Sequence, residues 1–298
     1  MKFTDSVKRK LVQIAAFGFT NSHIGNFSKG ALYTGPWKYF CNPGLNCYSC
    51  PAASFACPIG ALQAVTGSMN YDISFYVTGF LLAVGVLMGR FVCGWICPFG
   101  LIQEILHKIP HREMKLHKAF KWIKYVILAV FVVILPVALT NYMGMGKPAF
   151  CQFICPSGTL LGGLPLLGTH AELRNTIGCL FGLKVCILVL VLAGSIVTFR
   201  FFCKVMCPLG AIYGLLNKVS LYHLSVDRDQ CVECGKCITI CKMDVNPLEN
   251  PDSAECIRCG ACASACPKKA IHLGFCNTKK RTTSFMKGET SNGKMEER

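Results

Sequence analysis

The carboxyl-terminal part of the chain contains two short segments in which cysteines follow the same spacing. Residues 231–241 read CVECGKCITIC and residues 256–266 read CIRCGACASAC, so each follows the pattern C-x2-C-x2-C-x3-C. Thiolates at this spacing bind [4Fe–4S] clusters, with three on one cluster and the fourth on the other. The predicted ligand sets are Cys231, Cys234, Cys237 and Cys266 for one cluster, and Cys256, Cys259, Cys262 and Cys241 for the other.

Zinc is the alternative metal for these cysteines, because C-x2-C pairs also occur in structural zinc sites. A zinc site is complete with four ligands in two pairs, whereas this chain has eight cysteines in two matched copies. The matched copies favour two iron–sulfur clusters, whose chemistry is one-electron transfer. Gly235 and Gly260 occupy the same place in each copy and suit a backbone that bends tightly around a cluster.

A second cysteine pattern recurs in the first two thirds of the chain. Four segments contain C-P-x-G, and three of them contain C-x3-C-P: FACPIGAL (55–62), FVCGWICPFGLI (91–102), FCQFICPSGTLL (150–161) and FFCKVMCPLGAI (201–212). Copies recur at similar intervals, 98 residues from Cys57 to Cys155 and 110 residues from Cys97 to Cys207, which predicts a duplicated unit. Two facing halves would assemble an inner group, at the cytoplasmic surface, made of Cys93, Cys97, Cys203 and Cys207.

The remaining copies of this pattern would meet on the opposite, outer side, next to the segment CNPGLNCYSC at residues 41–50. The outer candidates are Cys41, Cys47, Cys50, Cys57, Cys151 and Cys155. A further iron–sulfur or other metal centre, reactive thiols, and structural cysteines stay open as interpretations of both groups. Disulfides are permitted outside the cell and disfavoured in the cytosol, and soft thiolates also select copper.

Composition limits the class of protein that could carry these cysteines. Of 298 residues, 52% are hydrophobic and 15% are charged, against about 25% charged in ordinary soluble domains. This balance argues against a disordered chain and against an ordinary water-soluble enzyme. The chain contains 21 cysteines, but at 298 residues it is too long and too apolar to be a small disulfide-stapled domain. A membrane protein with thiolate-bound metal is the class that remains.

Four apolar segments are predicted to cross the bilayer. They are Leu11–Ser28, Ile73–Gly89, Tyr125–Gly146 and Val185–Phe199. The first is the weakest because polar residues dilute it, and an interfacial helix or a cleaved signal peptide stays open as its alternative interpretation. The loop between the second and third carries seven Lys or Arg residues: Arg90, Lys108, Arg112, Lys115, Lys118, Lys121 and Lys124. By the positive-inside rule this loop and both termini are cytoplasmic. Most of the net charge of +16 is therefore explained by the orientation of the chain in the membrane. Since no basic stripe or aromatic platform accompanies it, no nucleic-acid partner is expected.

The C-x3-C-P pairs, the four predicted spans and the tail cysteines together resemble the NapH/NosR family of membrane-bound polyferredoxins, and the tail alone resembles a bacterial two-cluster ferredoxin. The resemblance covers nearly the whole chain. It implies an electron-transfer subunit of a quinol-dehydrogenase-like complex in the inner membrane of a prokaryote. The implied partners are membrane lipid, a quinone, flavoprotein or cytochrome, and a cytoplasmic ferredoxin or oxidoreductase. The family's paired motif falls on the four inner cysteines.

These observations predict an α-helical membrane protein followed by an α+β two-cluster ferredoxin-like domain. The predicted boundaries are 1–222 for the four-helix transmembrane domain, 223–276 for the cytoplasmic ferredoxin-like domain and 277–298 for a disordered tail. The predicted function is one-electron relay, with no acid–base or nucleophilic catalytic residues. The alternative is an assembly or metal-handling factor, for example a copper-reducing one, for a membrane redox enzyme.

Overall fold

A computed structural model describes the chain over residues 3–68, 75–110, 114, 116–139 and 146–275. The α-helices are α1 Phe3–Thr20, α2 Asn26–Lys29, α3 Pro58–Gly67, α4 Phe75–Met88, α5 Phe91–Trp95, α6 Pro98–Leu106, α7 Ile123–Ile127, α8 Leu135–Ala138, α9 Pro156–Gly158, α10 Leu164–Thr169, α11 Cys179–Val197, α12 Phe201–Val205, α13 Pro208–Leu216, α14 Lys236–Thr239 and α15 Ala261–Ala265. The strands are β1 Tyr222–Val226 and β2 Ile271–Phe275. The chain is therefore mostly helical, with its strands near the carboxyl end.

Short 3-10 and π-helical stretches link several of these helices. The 3-10 turns are Pro36–Tyr39, Lys118–Trp122 and Ala171–Thr176, and the π-helical turns are Leu128–Ile134, Phe150–Ile154 and Thr159–Gly163. The first π-helical turn joins α7 to α8, so these elements form one continuous helical rod. The predicted disordered tail, 277–298, lies outside the described residues.

Two helical stretches of the described chain are long and apolar enough to cross a membrane, Ala119–Ala138 and Cys179–Val197. Only 22% and 17% of the two stretches is buried within the protein, so most of their apolar surface faces outward. Helix α4 is equally apolar but has 14 residues, fewer than the roughly 20 that a span needs. Parts of two predicted spans, residues 73–74 and 140–145, lie outside the described residues. The four-span arrangement stays a prediction.

The C-P-x-G motifs begin four helices, namely α3, α6, α9 and α13. In each, proline is the first helical residue, where its missing N–H costs no hydrogen bond and its fixed φ suits a helix. The preceding cysteine has an extended backbone and occupies the N-cap position, beside the free N–H groups of the first turn. A thiolate is favoured at that position because the N-terminal end of a helix is electropositive.

The carboxyl-terminal region is closed by an antiparallel pairing of β1 and β2, in which Leu224 lies opposite Leu273 and Val226 opposite Ile271. Leu224, Ile271 and Cys237 form the buried centre of this small unit. The pairing holds the two ends of the cysteine-rich segment together, so that the helices α14 and α15 and their loops are presented between the strands.

An ion-pair network attaches this carboxyl-terminal unit to the helical part. Glu255 accepts hydrogen bonds from Arg90 at 2.9 Å and from Lys124, and neither basic side chain is exposed. Burial opposes ionisation of Glu255, but the two cations hold its pKa below the ordinary value. Two of the seven charges that the sequence places in a cytoplasmic loop are therefore buried in a contact between the two parts of the protein.

Candidate redox centres

The eight carboxyl-terminal cysteines lie around two separate cavities. One cavity is lined by Cys231, Cys234, Cys237 and Cys266. The other is lined by Cys241, Cys256, Cys259 and Cys262. These are the two sets that the sequence predicts as cluster ligands, with the fourth cysteine of each segment lying in the cavity of the other. Because the sets interlock, neither cavity could form from one segment alone.

The backbone of the two segments is bent in the same unusual way. Glu233 and Arg258, the residues before the second cysteine of each segment, both have positive φ, at 49° and 51°. Gly235 and Gly260, directly after that cysteine, have φ of 72° and 79°. Non-glycine residues seldom adopt the left-handed conformation, so its recurrence at matched positions indicates a shape that both loops need. These bent positions line the two cavities, Glu233 and Gly235 in one and Arg258 and Gly260 in the other.

The spacing of the thiols bears on the zinc alternative. Four sulfurs at about 2.3 Å from one zinc ion lie roughly 4 Å from one another. Among the described residues, no three His, Cys, Asp or Glu side chains converge closely enough to hold a single metal ion. The thiols instead surround cavities, which suits a cluster of several irons with its larger radius.

The four inner cysteines are buried together between α5, α6, α12 and α13. Each is at most 6% exposed. Cys97 is close enough to Cys93 and Cys203 for their charges to interact, and Cys207 interacts with the other three. Burial raises the pKa of Cys93, Cys97 and Cys207, so these thiols hold their protons at neutral pH unless a metal replaces them.

Hydrogen bonds to sulfur orient the inner group. The side chain of Gln103 donates to the Cys203 sulfur at 3.3 Å, and its oxygen accepts the backbone N–H of Phe202 at 3.0 Å. The backbone N–H of Gly210 donates to the Cys207 sulfur at 3.3 Å, and that of Gly100 donates to Cys97. The glycine of C-P-x-G thus supplies an N–H donor from the first helical turn. Such donors stabilise a thiolate and a reduced cluster.

Two buried arginines cross over beside the inner group. Arg90 donates to the carbonyl of Cys203 at 3.1 Å, and Arg200 donates to the carbonyl of Cys93. Each stands three residues before the first cysteine of its own pair and reaches the backbone of the other pair. Arg200 is paired with Glu104, which also bonds Arg9, just as Arg90 is paired with the carboxylate of the carboxyl-terminal unit. Both cations are fully buried.

Four of the six outer candidates line a further cavity of about 130 Å³: Cys47, Cys57, Cys151 and Cys155. Burial raises the pKa of Cys151 and Cys155 to about 12. Lys184 of the apolar helix α11 also lines this cavity.

The other two outer candidates lie nearby but do not line this cavity, and Cys50 is close enough to Cys47 for their charges to interact. Cys41 is buried close to Tyr213, a side chain that also lies near the inner cysteines. Cys50 donates a weak hydrogen bond from its sulfur to the carbonyl of Leu161 at 3.0 Å and packs against Ala52 and Ala53. The six residues predicted as one outer group therefore divide into a set of four around a cavity and two separate buried thiols.

The carboxyl-terminal unit packs directly on the inner group. The loop that carries Cys256 and Cys259 lies against α5, where a side chain at Gly94 would collide with the carbonyl of Ile257. The Trp95 indole donates to the carbonyl of Arg258 at 3.2 Å. Ile257 and Arg258 lie between two ligands of the second carboxyl-terminal cavity, and the glycine and tryptophan lie between two inner cysteines. The segments that carry the ligands of the two sites are thus in direct contact.

Sequence reasoning does not single out the glutamines and arginines described above. The sequence nevertheless contains a signal for both residue types, because each recurs at a fixed distance from a repeated cysteine. Arginine stands three residues before the first cysteine in R-F-V-C and in R-F-F-C, and glutamine stands six residues after cysteine in C-P-x-G-x-x-Q at Gln63 and Gln103. A recurrent polar residue at a fixed distance from a repeated ligand is the pattern expected of a side chain that orients that ligand.

Two family models, each described as a 4Fe–4S binding domain, match this chain. One of them, Fer4_5, matches residues 73–117, 125–169 and 182–225, which include the paired cysteines of the helical part. The other, Fer4, matches residues 250–272 in the carboxyl-terminal unit. No solved structure matches the chain.

Related proteins come from archaea and bacteria. An uncharacterized protein, MJ0750 of Methanocaldococcus jannaschii, is 29% identical over 58% of this chain and 66% of its own length. The methylamine utilization ferredoxin-type protein MauN of Methylorubrum extorquens is 29% identical over 62% of this chain and 59% of its own. The regulatory protein NosR of Stutzerimonas stutzeri is 26% identical over 57% of this chain and 22% of its own. The matched part thus spans between about a fifth and two thirds of these relatives.

Proposed function

We propose that this chain relays single electrons between a cytoplasmic redox protein and the membrane, as its matches to 4Fe–4S binding domains and its similarity to ferredoxin-type proteins such as MauN suggest. The carboxyl-terminal unit holds two [4Fe–4S] clusters on the eight cysteines around its two cavities. The inner group holds a further iron–sulfur centre. The clusters supply the redox chemistry, and the protein fixes their spacing and potentials.

The observation that carries this proposal is the direct contact between the second carboxyl-terminal cavity and the inner group, through Ile257 and Arg258 on one side and Gly94 and Trp95 on the other. Electron transfer requires neighbouring centres separated by little intervening protein. Direct contact between the two ligand-bearing segments, held by the buried ion pairs of Glu255, meets that requirement. Clusters bound at these neighbouring sites would supply one-electron chemistry, and the contact between the two segments would fix the distance between them.

The described residues also support a membrane location for the inner end of this relay. The helices 119–138 and 179–197 expose apolar faces, as membrane spans do. We propose a multi-pass protein of the inner membrane whose carboxyl-terminal unit is cytoplasmic. The soluble partner is then a ferredoxin or an oxidoreductase, and the membrane partner is a quinone or a flavoprotein or cytochrome subunit.

The test uses the full chain purified without oxygen in detergent and then placed in vesicles that contain a quinone. Replacing Cys97 and Cys207 by serine should remove two to four irons from the protein and leave the signals of the two carboxyl-terminal clusters. Reoxidation of those clusters by the quinone should slow by about tenfold or more. The Cys179→Ser/Cys186→Ser variant is the matched control, because both thiols are exposed on α11.

Unchanged iron content and unchanged reoxidation in the Cys97/Cys207 variant would refute the role of the inner group. A protein with zinc and no iron in its carboxyl-terminal unit would refute the relay as a whole. Topology is tested separately, by labelling a cysteine introduced near the carboxyl terminus of a chain in sealed vesicles. If the introduced cysteine were labelled only from the side of the membrane opposite the cytoplasm, the proposed orientation would be wrong.

A further inference from the structure

The cavity lined by Cys47, Cys57, Cys151 and Cys155 has no role in the relay described above. We propose that these four thiols bind a second buried iron–sulfur cluster, which we call the outer centre. This proposal rests on the proposed function and adds one redox centre to the relay. The alternatives are that the outer thiols form a disulfide or that they bind a single soft metal ion.

The geometry of the cavity favours a cluster over these alternatives. Four thiols surround a space of about 130 Å³ instead of meeting at a point, and within the described residues no three of them could hold one ion. Cys57 interacts electrostatically with Cys151 and Cys47, and Cys155 with Cys47 and Cys57, so every thiol faces the same space. A cube or rhomb of iron and sulfide is the thiolate-bound group of that size.

The outer cavity is built in the same way as the inner group. Gln63 donates to the sulfur of Cys151 at 3.2 Å and accepts the backbone N–H of Phe150 at 2.9 Å. Gln103 makes the equivalent pair of bonds to Cys203 and Phe202 at 3.3 and 3.0 Å. Each glutamine also donates to the carbonyl four residues before it, at 3.2 and 3.4 Å. A glutamine held at three points beside a ligand sulfur thus occurs once in each group.

The backbone donors of the two groups match as well. The N–H of Gly60 donates to Cys57 and the N–H of Gly158 donates to Cys155, as those of the corresponding glycines do in the inner group. In both groups the cysteine at the N-cap of a proline-initiated helix therefore has its sulfur in the electropositive first turn. Two groups with the same donors to the same ligand positions are suited to the same kind of cofactor.

The fourth outer ligand comes from a different part of the chain. The position equivalent to Cys93, four residues before the C-P cysteine, is Ala53 in the outer copy, which is buried and has no sulfur. Cys47 takes its place from the preceding loop. A side chain at Gly158 would lie 3.3 Å from the Cys47 sulfur, so glycine leaves the room that this thiol occupies. Because Cys47 stands in for the cysteine that is missing at position 53, the outer cavity still has four cysteine ligands, as the inner group does.

Polar groups around the cavity point to a negatively charged occupant. The hydroxyl of Ser157 is fully buried in the cavity wall and has no hydrogen-bond partner among the described residues. A buried hydroxyl without a hydrogen-bond partner is energetically costly, and Ser157 could donate a hydrogen bond to a sulfide or thiolate in the cavity. Lys184 is close enough to Cys47 and Cys151 for their charges to interact. A cluster with four thiolates is anionic, and a cation on an otherwise apolar helix compensates part of that charge.

The outer centre would lie directly beyond the inner one. Leu45 donates its backbone N–H to the sulfur of Cys97 and also lines the outer cavity. Only Asn46 separates it from the outer ligand Cys47, and three residues span at most about 10 Å. A side chain at Gly44 would lie 2.9 Å from the Cα of Cys97, which brings this loop against the inner group. The two groups are thus neighbours, so the prediction that they lie at opposite surfaces of a bilayer core of about 30 Å is wrong for these residues. The four cluster sites form a series that ends at the outer centre.

The test is the iron and sulfide content of the full chain purified without oxygen, with electron paramagnetic resonance after stepwise reduction. Replacing Cys57 and Cys155 by serine should remove two to four irons and one signal, and leave the signals of the other centres unchanged. The Cys41→Ser/Cys50→Ser variant is the matched control, since both thiols are buried nearby but lie outside the cavity. This variant should retain all of its iron.

Full iron content in the Cys57/Cys155 variant would overturn the outer centre. So would a disulfide among the four outer thiols in the anaerobic wild-type protein, detected by mass spectrometry after alkylation, or stoichiometric copper or zinc in place of iron. These results leave the proposed relay intact if the Cys97/Cys207 variant still loses iron. Retention of iron by both double variants would instead refute both the relay through the inner group and the outer centre.

Iron could also be lost because the Cys57/Cys155 variant misfolds, so a second variant that keeps all four ligands is needed. Ser157→Ala removes only the unpartnered hydroxyl, so the iron content should not change. One signal should become harder to reduce, because a hydrogen bond to the cluster favours its reduced state. Thr159→Val is its control, since Thr159 also carries a buried hydroxyl without a partner but does not line the cavity. Equal potentials in wild type and Ser157→Ala would contradict the outer centre.

Discussion

The inner and outer cysteine groups share their hydrogen-bond donors and differ in their charges. Both have a glutamine on one sulfur and glycine N–H donors on the sulfurs that begin helices. The inner group has two fully buried arginines beside it, whereas the outer cavity has a half-buried lysine and a serine hydroxyl. The hydrogen-bond donors to sulfur are therefore common to both groups, whereas the neighbouring cationic side chains differ between the inner and the outer group.

This difference separates two tasks that the protein performs on a bound cluster. Hydrogen bonds to sulfur orient the ligands, and the motif supplies them in each copy. Buried cations stabilise the reduced form of a cluster and so raise its reduction potential. We expect the inner centre to be reduced more readily than the outer one, since its two guanidinium groups contact the backbone of ligand cysteines.

The largest expected effect comes from removing an inner cation. Arg200→Met leaves the buried Glu104 with Arg9 alone and frees the carbonyl of Cys93. Loss of one partner from a buried ion pair costs about 3–5 kcal/mol, so the free energy of unfolding should fall by about 3 kcal/mol. It is measured by urea denaturation in detergent. A loss below about 1 kcal/mol would mean that this cation does not hold the inner group together.

The next largest effect concerns the contact between the carboxyl-terminal unit and the inner group. Glu255→Gln leaves Arg90 and Lys124 buried without a carboxylate, and should weaken the docking by about 2–3 kcal/mol. Amide hydrogen exchange in α5 would then be faster, with the cluster signals retained. Unchanged exchange in α5 would show that packing, without the ion pairs, holds the unit in place.

The same carboxylate predicts how docking depends on pH. The pKa of Glu255 is lowered from 4.5: burial raises it, but the effect of Arg90 and Lys124 outweighs burial. A lowered folded-state pKa means that the stabilisation is complete above about pH 4.5 and is lost as the pH falls through the folded-state value. The protection factor of the α5 amides, which is the exchange rate corrected for its intrinsic pH dependence, should follow this course in the wild type. In Glu255→Gln the protection factor should not change over the same pH range.

The positions of the carboxyl-terminal cysteines are largely predictable from the sequence, because short fixed spacings constrain which thiols can share a cavity. The division of the outer six is not predictable. Cys47 rather than Cys41 or Cys50 reaches the outer cavity because of how an irregular loop folds against the C-P helices, and such a loop has no periodicity to read. The burial of Arg90 is missed for a similar reason, since its partner Glu255 is 165 residues away.

A smaller effect is expected from the matched glutamines. Gln103→Leu and Gln63→Leu each remove a hydrogen bond to sulfur and leave a buried backbone N–H, of Phe202 or Phe150, without its acceptor. Each should cost about 1–3 kcal/mol of stability and make its own centre harder to reduce. Redox titration followed by paramagnetic resonance assigns the shift to one signal. If both variants shifted the same signal, the two groups would not be separate centres.

The smallest effect on stability, and the sharpest test of the contrast between the groups, is expected from Lys184→Met. The lysine is half-buried and its ammonium group forms no ion pair with a carboxylate within the described residues, so unfolding should change by less than about 0.5 kcal/mol. Loss of its charge nevertheless removes the cation that lines the outer cavity, and the outer centre should become harder to reduce. The inner signal should not move, because its nearest cations are the two arginines. A shift confined to the inner signal would reverse the assignment of charges to centres on which the comparison depends.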